Sequence, residues 1–407
     1  MLRLFLLNLL ISLSIFSQEL VEFSLGQGYQ YDIYYSFDQG ISGYTESDNW
    51  ELAFSTNPNI PNVRINSGKS VKLFLLSENI NNWDSVSTVP DSPIQLRNSN
   101  ESWDLGAFVN GYYESGESFT WGNFNYNEIN QMNQNYVGSK IFLIEYGDIL
   151  NPIQKKIMIT EMTSGMYYLR ISNLDGTSDQ LFSVDTGSYS NKKFIYFSLS
   201  DNQLIDREPS NWDIIFTRYE EEYVTLNGTT MPYIVTGALT NENYCFEFNG
   251  PADFNPPMDS TQFSTIINTI GYDWKLYSGS YTIVPDRAYF ILSNDQLFVH
   301  KITFQSFDGG QTGNMSFLTE EFNYNPITIN EFNSISNFLY PNPSDGIINS
   351  LFLYDVKLEI RDLSGRLLLS NFGPILNVDL SSLNNGHYVA TITANDDIFV
   401  ERIIVSK

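Results

Sequence analysis

At 407 residues the chain is too long for one small domain and reads as two or three, each large enough to bury a core without covalent staples. Forty-seven acidic against twenty-one basic residues leave a net charge of −26, which repels phosphate backbones and argues against nucleic acid as a partner. A single cysteine, Cys245, excludes any internal disulfide, and its neighbours Tyr244 and Phe246 mark it as a small buried hydrophobe rather than a reactive thiol.

In chain order, the first predicted element is a secretory signal over residues 1–17. Arg3 supplies a basic start, Leu4 to Phe16 an apolar stretch of signal length, and Ser17 a small residue before Gln18, the expected mature start. The stretch is short for a membrane anchor and no cysteine follows it to carry a lipid. No later segment is apolar enough to span a bilayer, so the mature chain is expected to be soluble, outside the cell and without a transmembrane segment. Export without a disulfide framework fits a bacterium better than a eukaryotic secretory route.

Short Tyr, Phe, Ile and Val runs follow, punctuated by Asn, Gly, Ser and Asp. With 15% aromatic residues and no long helical period, they predict an all-β fold. Laid on itself at a shift of 162 residues the chain matches without a gap: Ile33, Tyr34, Ser36, Glu46, Asn49, Trp50 and Phe54 fall on Ile195, Tyr196, Ser198, Glu208, Asn211, Trp212 and Phe216. Further on, Asn66 before Ser67-Gly68 is matched to Asn227-Gly228, Trp121 to Trp274, and the strand 141–144 to 289–292. Two related tandem β-modules are therefore expected, 18–172 and 173–330. Phe194, Tyr196 and Ser198 alternate with Ile195, Phe197 and Leu199, so both faces of that strand are apolar and both should be covered. Trp50 and Trp212 read as core anchors of the strand that follows each.

The last segment, 336–407, opens on Tyr340-Pro341-Asn342-Pro343-Ser344, where two prolines fix φ and remove donors. Strand-like runs follow at Val356–Arg361, Leu367–Ser370, Asn377–Leu380, His387–Ala394 and Ile398–Val405, punctuated by Gly365 and Gly386, which predicts a small β-sandwich. The blocks Pro341, Asn342, Pro343 with Gly346, then 360–366 through Gly365, then 380–388 through Gly386, His387 and Tyr388, resemble the type A C-terminal sorting domain of type IX secretion cargo in Bacteroidota. The resemblance implies recognition by the type IX secretion machinery and a destination outside the cell or on the outer-membrane surface.

The two modules resemble the HmuY-like family of haem-binding surface proteins. The pattern is carried by Ile195–Leu199, Asn211-Trp212-Asp213-Ile214-Ile215-Phe216-Thr217-Arg218 and Asn227-Gly228 in the second copy, and by Trp50–Ser55 and Arg64–Gly68 in the first. The family tail is matched by Tyr289–Leu292 and Lys301–Phe304. The resemblance implies haem, or another flat apolar ligand, as cofactor or cargo. Where the family often has His after the Phe, this chain has Ser55 and Thr217, neither a usual ligand of haem iron.

Candidate axial ligands are thus His300, on an alternating strand with Phe298, Ile302 and Phe304 on its face, and Met158 and Met162, which with Met166 recur every four residues and are expected on one sheet face. His387 reads as a surface residue of the tag, and Lys155 as the counterpart of His300 in the first copy. No hydrolytic triad, Cys cluster, H-E-x-x-H, P-loop or G-x-G-x-x-G motif is present, so no enzymatic activity is expected. Paired carboxylates of a glycosidase are the one catalytic option open, and the acids sit mostly in Asn/Ser-rich turns, as solvated groups do. Asp175-Gly176-Thr177-Ser178-Asp179 lacks the closing Glu of a calcium loop. The sequence therefore points to an exported, non-enzymatic binding protein. The alternative to haem is an adhesin-like or carbohydrate-binding surface protein that keeps the fold as scaffold and uses exposed aromatics such as Trp83 or Trp103 on a surface glycan or protein.

Overall fold

A computed structural model describes residues 18–109, 111–112, 117–118, 120–124, 135–225, 227–251, 256, 258, 260–324, 339–350, 356–373, 378–394 and 397–407. The expected signal, 1–17, lies outside the described residues. The chain divides into two compact units, the boundary falling after Tyr324.

In the first unit the strands run β1 (Glu19–Ser24), β2 (Tyr31–Ser36), β3 (Gly40–Glu46), β4 (Leu52–Ser55), β5 (Val63–Ile65), β6 (Lys72–Ser77) and β7 (Gln95–Leu96). A short pair, β8 (Gly111–Tyr112) and β9 (Glu117–Ser118), precedes β10 (Gly122–Phe124), β11 (Asn135–Gly138), β12 (Ile141–Gly147), β13 (Pro152–Thr163) and β14 (Met166–Ser172). Then come β15 (Gln180–Asp185), β16 (Phe194–Ser198), β17 (Gln203–Ile205) and a long hairpin of β18 (Ile214–Val224) and β19 (Thr230–Thr240). β20 (Cys245–Asn249), β21 (Lys275–Tyr277), β22 (Tyr281–Ile283), β23 (Arg287–Leu292), β24 (Phe298–Phe307) and β25 (Asn314–Asn323) complete the unit. The fold is all-β, and among the described residues no helix is long and apolar enough to cross a membrane.

Four main sheets form four layers. The inner sheets, β17-β16-β4-β5 and β19-β18-β2-β3, are each sandwiched. On β16, Ile195 and Phe197 enter one core with Leu52, Phe54 and the outer sheet of β6 and β12–β15, while Phe194 and Tyr196 face the other way with Ala53. On β2 and β18, Ile33, Tyr35, Ile214 and Phe216 join the outer sheet β1-β25-β24-β23-β20, while Tyr34, Trp212 and Ile215 face inward. Trp103 packs against both inward faces. The apolar alternation read on 194–199 is thus realised as a strand covered on both sides.

The repeat is realised by exchange. Each aromatic strand pairs with the Trp strand of the other copy in the same register: Ile33 opposite Phe216 and Ile195 opposite Phe54, Tyr35 opposite Ile214 and Phe197 opposite Leu52. The first strand of each copy completes an outer sheet, β1 on β25 and β15 on β14. All four main sheets therefore contain strands from both sides of the 172/173 boundary. Caps are exchanged as well. Glu51 accepts from the Leu199 N–H at 2.6 Å, and Asp213, its counterpart, from the Phe37 N–H at 2.8 Å. Tyr34 and Tyr196, 162 residues apart, meet hydroxyl to hydroxyl at 3.3 Å.

One expected match is corrected. The side chain of Asn66 donates to Trp50 O at 3.0 Å, and that of Asn241 to Trp212 O at 2.9 Å, so Asn66 corresponds to Asn241. Asn227-Gly228 instead lies at the turn of the β18–β19 hairpin, where Gly228 takes φ +77°. The sequence match slipped because this hairpin is extended at its tip relative to β4–β5, and a shared Asn-Gly turn signal outweighed the register.

The second unit contains β26 (Leu339–Tyr340), β27 (Ile347–Ser350), β28 (Val356–Arg361), β29 (Leu367–Gly373), β30 (Val378–Asp379), β31 (Gly386–Ala394) and β32 (Asp397–Val405). They form sheets β26-β27-β30 and β29-β28-β31-β32 around Leu339, Leu358, Ile360, Tyr388 and Ile403.

Candidate functional site

The inward faces of the two inner sheets enclose polar groups that a core normally excludes. Asp32, on β2, and Arg207, beyond β17, form an ion pair at 2.7 Å with side chains 5% and 2% exposed. The pair is held by further bonds, as a buried charge requires: Thr217 Oγ1 donates to Asp32 at 2.6 Å, and Arg207 Nη2 donates to Thr45 Oγ1 at 2.5 Å and Glu46 O at 2.9 Å. The guanidinium lies over the Trp50 and Tyr196 rings. Glu208 accepts from the Lys193 and Phe194 N–H groups and from Trp212 Nε1, while burial still raises its pKa. Burial raises Glu51 and Asp213 in the same direction. Acids expected in solvated turns thus serve as interior acceptors.

Beside this pair a crevice of about 60 Å³ is lined by Trp50, Trp103, Tyr196, Arg207, Arg218 and Tyr219, among others. Trp50 Nε1, Arg207 Nε, Arg218 Nε and Tyr219 Oη are buried without a hydrogen-bond partner among the described residues. Ser67–Lys69, a single 3-10 turn, presses on β18 so closely that a Cβ on Gly68 would stand 2.1 Å from Arg218 O. That contact sets Lys69 beside Arg218. Desolvation lowers the pKa of both cations; for Lys69 the Asp48 charge opposes that shift and the Arg218 charge adds to it.

The extended end of the β18–β19 hairpin has two unlike faces. One, with Glu220, Glu222, Thr230 and Pro232, borders a groove of about 420 Å³ whose opposite wall includes Gln95, Arg97 and Asn100. Arg97 pairs there with Glu220, and Asn100 donates to Glu220 O at 2.5 Å. The other face presents Tyr223 and Tyr233. The two tyrosines are 46% and 59% exposed with ring centroids 6.1 Å apart.

The residues singled out as haem ligands do not converge. His300, on β24, stacks on Phe37 with centroids 4.0 Å apart and planes 6° apart, and burial lowers its pKa to about 4. Met158 and Met162 do not share a face: Met158 packs with Trp83 and Ile141, Met162 with Trp121 and Tyr167 in the opposite core. A bulge between Ile159 and Glu161 shifts β13 by one residue and so reverses its facing. Trp83 and Trp103 are not open stacking surfaces. Trp83 is 3% exposed, with Lys156 and Arg170 each 4.9 Å from its ring centre. Trp103 is half-buried, donates to Thr240 O at 2.8 Å and lies under Arg64. Asp179 of the 175–179 loop pairs with Arg170, and Cys245 is fully buried. Sequence reasoning passed over Arg218, Lys69, Tyr223 and Tyr233. The available signal was a basic residue inside an apolar strand of a chain poor in them, followed by tyrosines flanking an Asn-Gly turn.

In the second unit the motif residues tie the entry loop to the last strand. Asn342 donates from its side chain to Arg402 O at 2.8 Å and accepts from the Ile404 N–H at 2.9 Å. The peptide bonds before Pro341 and Pro343 are cis. Gly346 takes φ +131° beside Ser344, which accepts its N–H, and Gly365 takes φ +88° in the turn that the Asp362 side chain closes. Gly386 opens β31 opposite Val405, and Tyr388 donates to Asn384 O at 2.8 Å. Residues 338–406 match the family model of the secretion system C-terminal sorting domain. This is a protein exported by the type IX secretion system. Its destination is the cell surface or the extracellular medium, and its partner in transit is the type IX machinery. Comparison of the chain with curated proteins and with solved structures gives no match.

Proposed function

We propose that the first unit is a non-enzymatic, carbohydrate-binding surface module whose ligand seats on the extended end of the β18–β19 hairpin. The observation that carries this reading is the pair Tyr223 and Tyr233, held exposed on a segment that the matching hairpin β4–β5 lacks. Tyrosine combines an apolar ring face with a hydroxyl that stays wet, which suits stacking on a sugar ring. The groove on the hairpin's other face, at about 420 Å³, lies in the size range of small-ligand sites and is lined by amide, carboxylate and guanidinium groups. Haem is the less favoured ligand, because His300, Met158 and Met162 lie in three different packing environments and Ser55 and Thr217 replace the family's histidine.

A glycan array probed with the mature protein tests the reading. Binding to a defined set of glycans, lost at least tenfold in Tyr223→Ala and Tyr233→Ala, is expected. An array without signal, or one on which both variants bind like the parent, would sink it. In parallel, titration with micromolar haem should give no Soret shift, and a saturable shift would restore haem as ligand.

A further inference from the structure

We propose that Asn227-Gly228, at the tip of the β18–β19 hairpin, is a self-modification site: the Gly228 backbone nitrogen attacks the Asn227 side chain and converts that residue to aspartate and isoaspartate. The inference is independent of what the hairpin binds.

The structure singles this pair out among its kind. Asn-Gly occurs four times in the chain, at 110–111, 227–228, 249–250 and 385–386, and Asn110 lies outside the described residues. The Asn249 amide is held at both ends: its Nδ2 donates to Glu247 at 2.8 Å and its Oδ1 accepts from Arg287 Nε at 3.0 Å. Asn385 is held likewise by Lys407, donating to its carbonyl oxygen at 3.3 Å and accepting from its N–H at 3.0 Å. Asn227 is exposed, and its side chain has no partner among the described residues. The attacking nitrogens differ in the same direction. The Gly250 N–H is bonded to Asp286 O in a distant segment, and Gly386 stands in register with Val405 in the β31–β32 ladder. The Gly228 N–H donates to Thr225 O at 2.8 Å, within a local turn that Thr225 and Thr229 close. A local bond at an exposed hairpin tip opens far more readily than one tied into a sheet.

Glycine after the asparagine is what the reaction needs. Gly228 takes φ +77° with open space where a Cβ would stand, so no side chain of its own shields its nitrogen. That nitrogen bonds to Asn227 Cγ; the Cγ–Nδ2 bond breaks, and Nδ2 leaves as ammonia with the former Gly228 amide proton. Water, the one co-reactant, then opens the cyclic imide. Attack at Cγ returns an ordinary aspartyl backbone, and attack at the Asn227 carbonyl carbon leaves an isoaspartyl link through the side chain. Either product adds a negative charge to the hairpin that presents Tyr223 and Tyr233, and the second also lengthens its turn by a methylene. The hairpin thus changes charge with age after export.

Storage of the full mature chain at mildly alkaline pH, followed by peptide mapping and an enzymatic isoaspartate assay, tests the proposal. Aspartate and isoaspartate should accumulate at 227 at least tenfold faster than at 249 and 385, and faster as pH rises, because the nitrogen must lose its proton to attack. In the chain unfolded by denaturant the three positions should react at similar rates. An acidic form resolved by ion exchange should appear in step with the conversion and should not form in Asn227→Gln, whose longer side chain cyclises far more slowly. Retention of asparagine at 227, conversion there no faster than at 249 and 385, or a preference for 227 equally large in denaturant overturns the proposal. So does the same acidic form arising at an undiminished rate in Asn227→Gln.

Discussion

The hairpins β4–β5 and β18–β19 hold equivalent places in the two halves of the body, yet the first turns soon after Ser55 and the second runs on to Val224. At their bases the two agree in register, in the carboxylate that caps the exchanged strand and in the asparagine that follows. At their ends they share nothing. The same division recurs at the centre, where Asp32 and Arg207 pair while their counterparts at the 162-residue shift are Phe194 and Thr45. What the halves share holds the layers together; what the repeat does not duplicate is a charged pair formed between them and an aromatic tip on one of them.

The comparison can be broken hardest at its centre. Arg207→Ala leaves Asp32 buried and uncompensated, and chemical denaturation should register a loss of about 3–5 kcal/mol, whereas Thr45→Ala, at the matching place, removes one acceptor of the Arg207 guanidinium and should cost about 1.5–3 kcal/mol. Equal losses would mean that the ion pair is not what distinguishes the halves. Next, Glu51→Ala and Asp213→Ala each free one backbone N–H across the exchange, and each should cost about 1–3 kcal/mol. Matching values would sharpen the pseudo-symmetry, and a large difference would confine it to the backbone.

The third test uses pH. His300 has a folded pKa of about 4 against an ordinary 6.5, so its contribution to stability is complete above pH 6.5 and is lost as pH falls towards 4. Glu51, Glu208 and Asp213, raised by burial, act in the opposite sense, being most favourable at low pH. The difference between parent and His300→Gln cancels them. Relative to the variant, the parent should lose about 2–4 °C in Tm between pH 7 and 4, read by differential scanning calorimetry; parallel curves would show that the Phe37 stack does not depend on a neutral ring. The smallest expected effect is at the hairpin tip. Tyr223→Ser and Tyr233→Ser should change stability by no more than about 0.5 kcal/mol, since both side chains are exposed. A larger loss would make them structural.

The all-β class, the repeat and the sorting domain were legible because each rests on local chemistry: aromatic alternation in 194–199, the Asn-Trp pairs at 49–50 and 211–212, and the turn residues from Pro341 to Gly386. Strand exchange was not, because a repeat says which segments are alike and not which copy each pairs with. The methionine pair was misplaced by one bulged residue near Thr160, which leaves no mark in an apolar run. Trp83 read as exposed because its neighbours in sequence are polar, while its cover, Lys156 and Arg170, comes from strands some seventy residues and more away. Arg218 was quoted only as part of a strand motif. Its isolation from carboxylates is a property of three dimensions.

The pairing of β1 with β25, Glu19 opposite Thr319, bears on when this body can finish folding. Closing a loop of that span is slow compared with forming the local hairpins, and it has no partner strand to wait beside until nearly the whole body has been made. The hairpins can assemble early, but the sheet edge offered by β25 stays open until the N-terminal strand returns to it. For an exported chain this makes the residues of β1 the last to be locked. Trimming a few residues too many from that end would then be felt as a slower, more aggregation-prone maturation before it was felt as a lost contact.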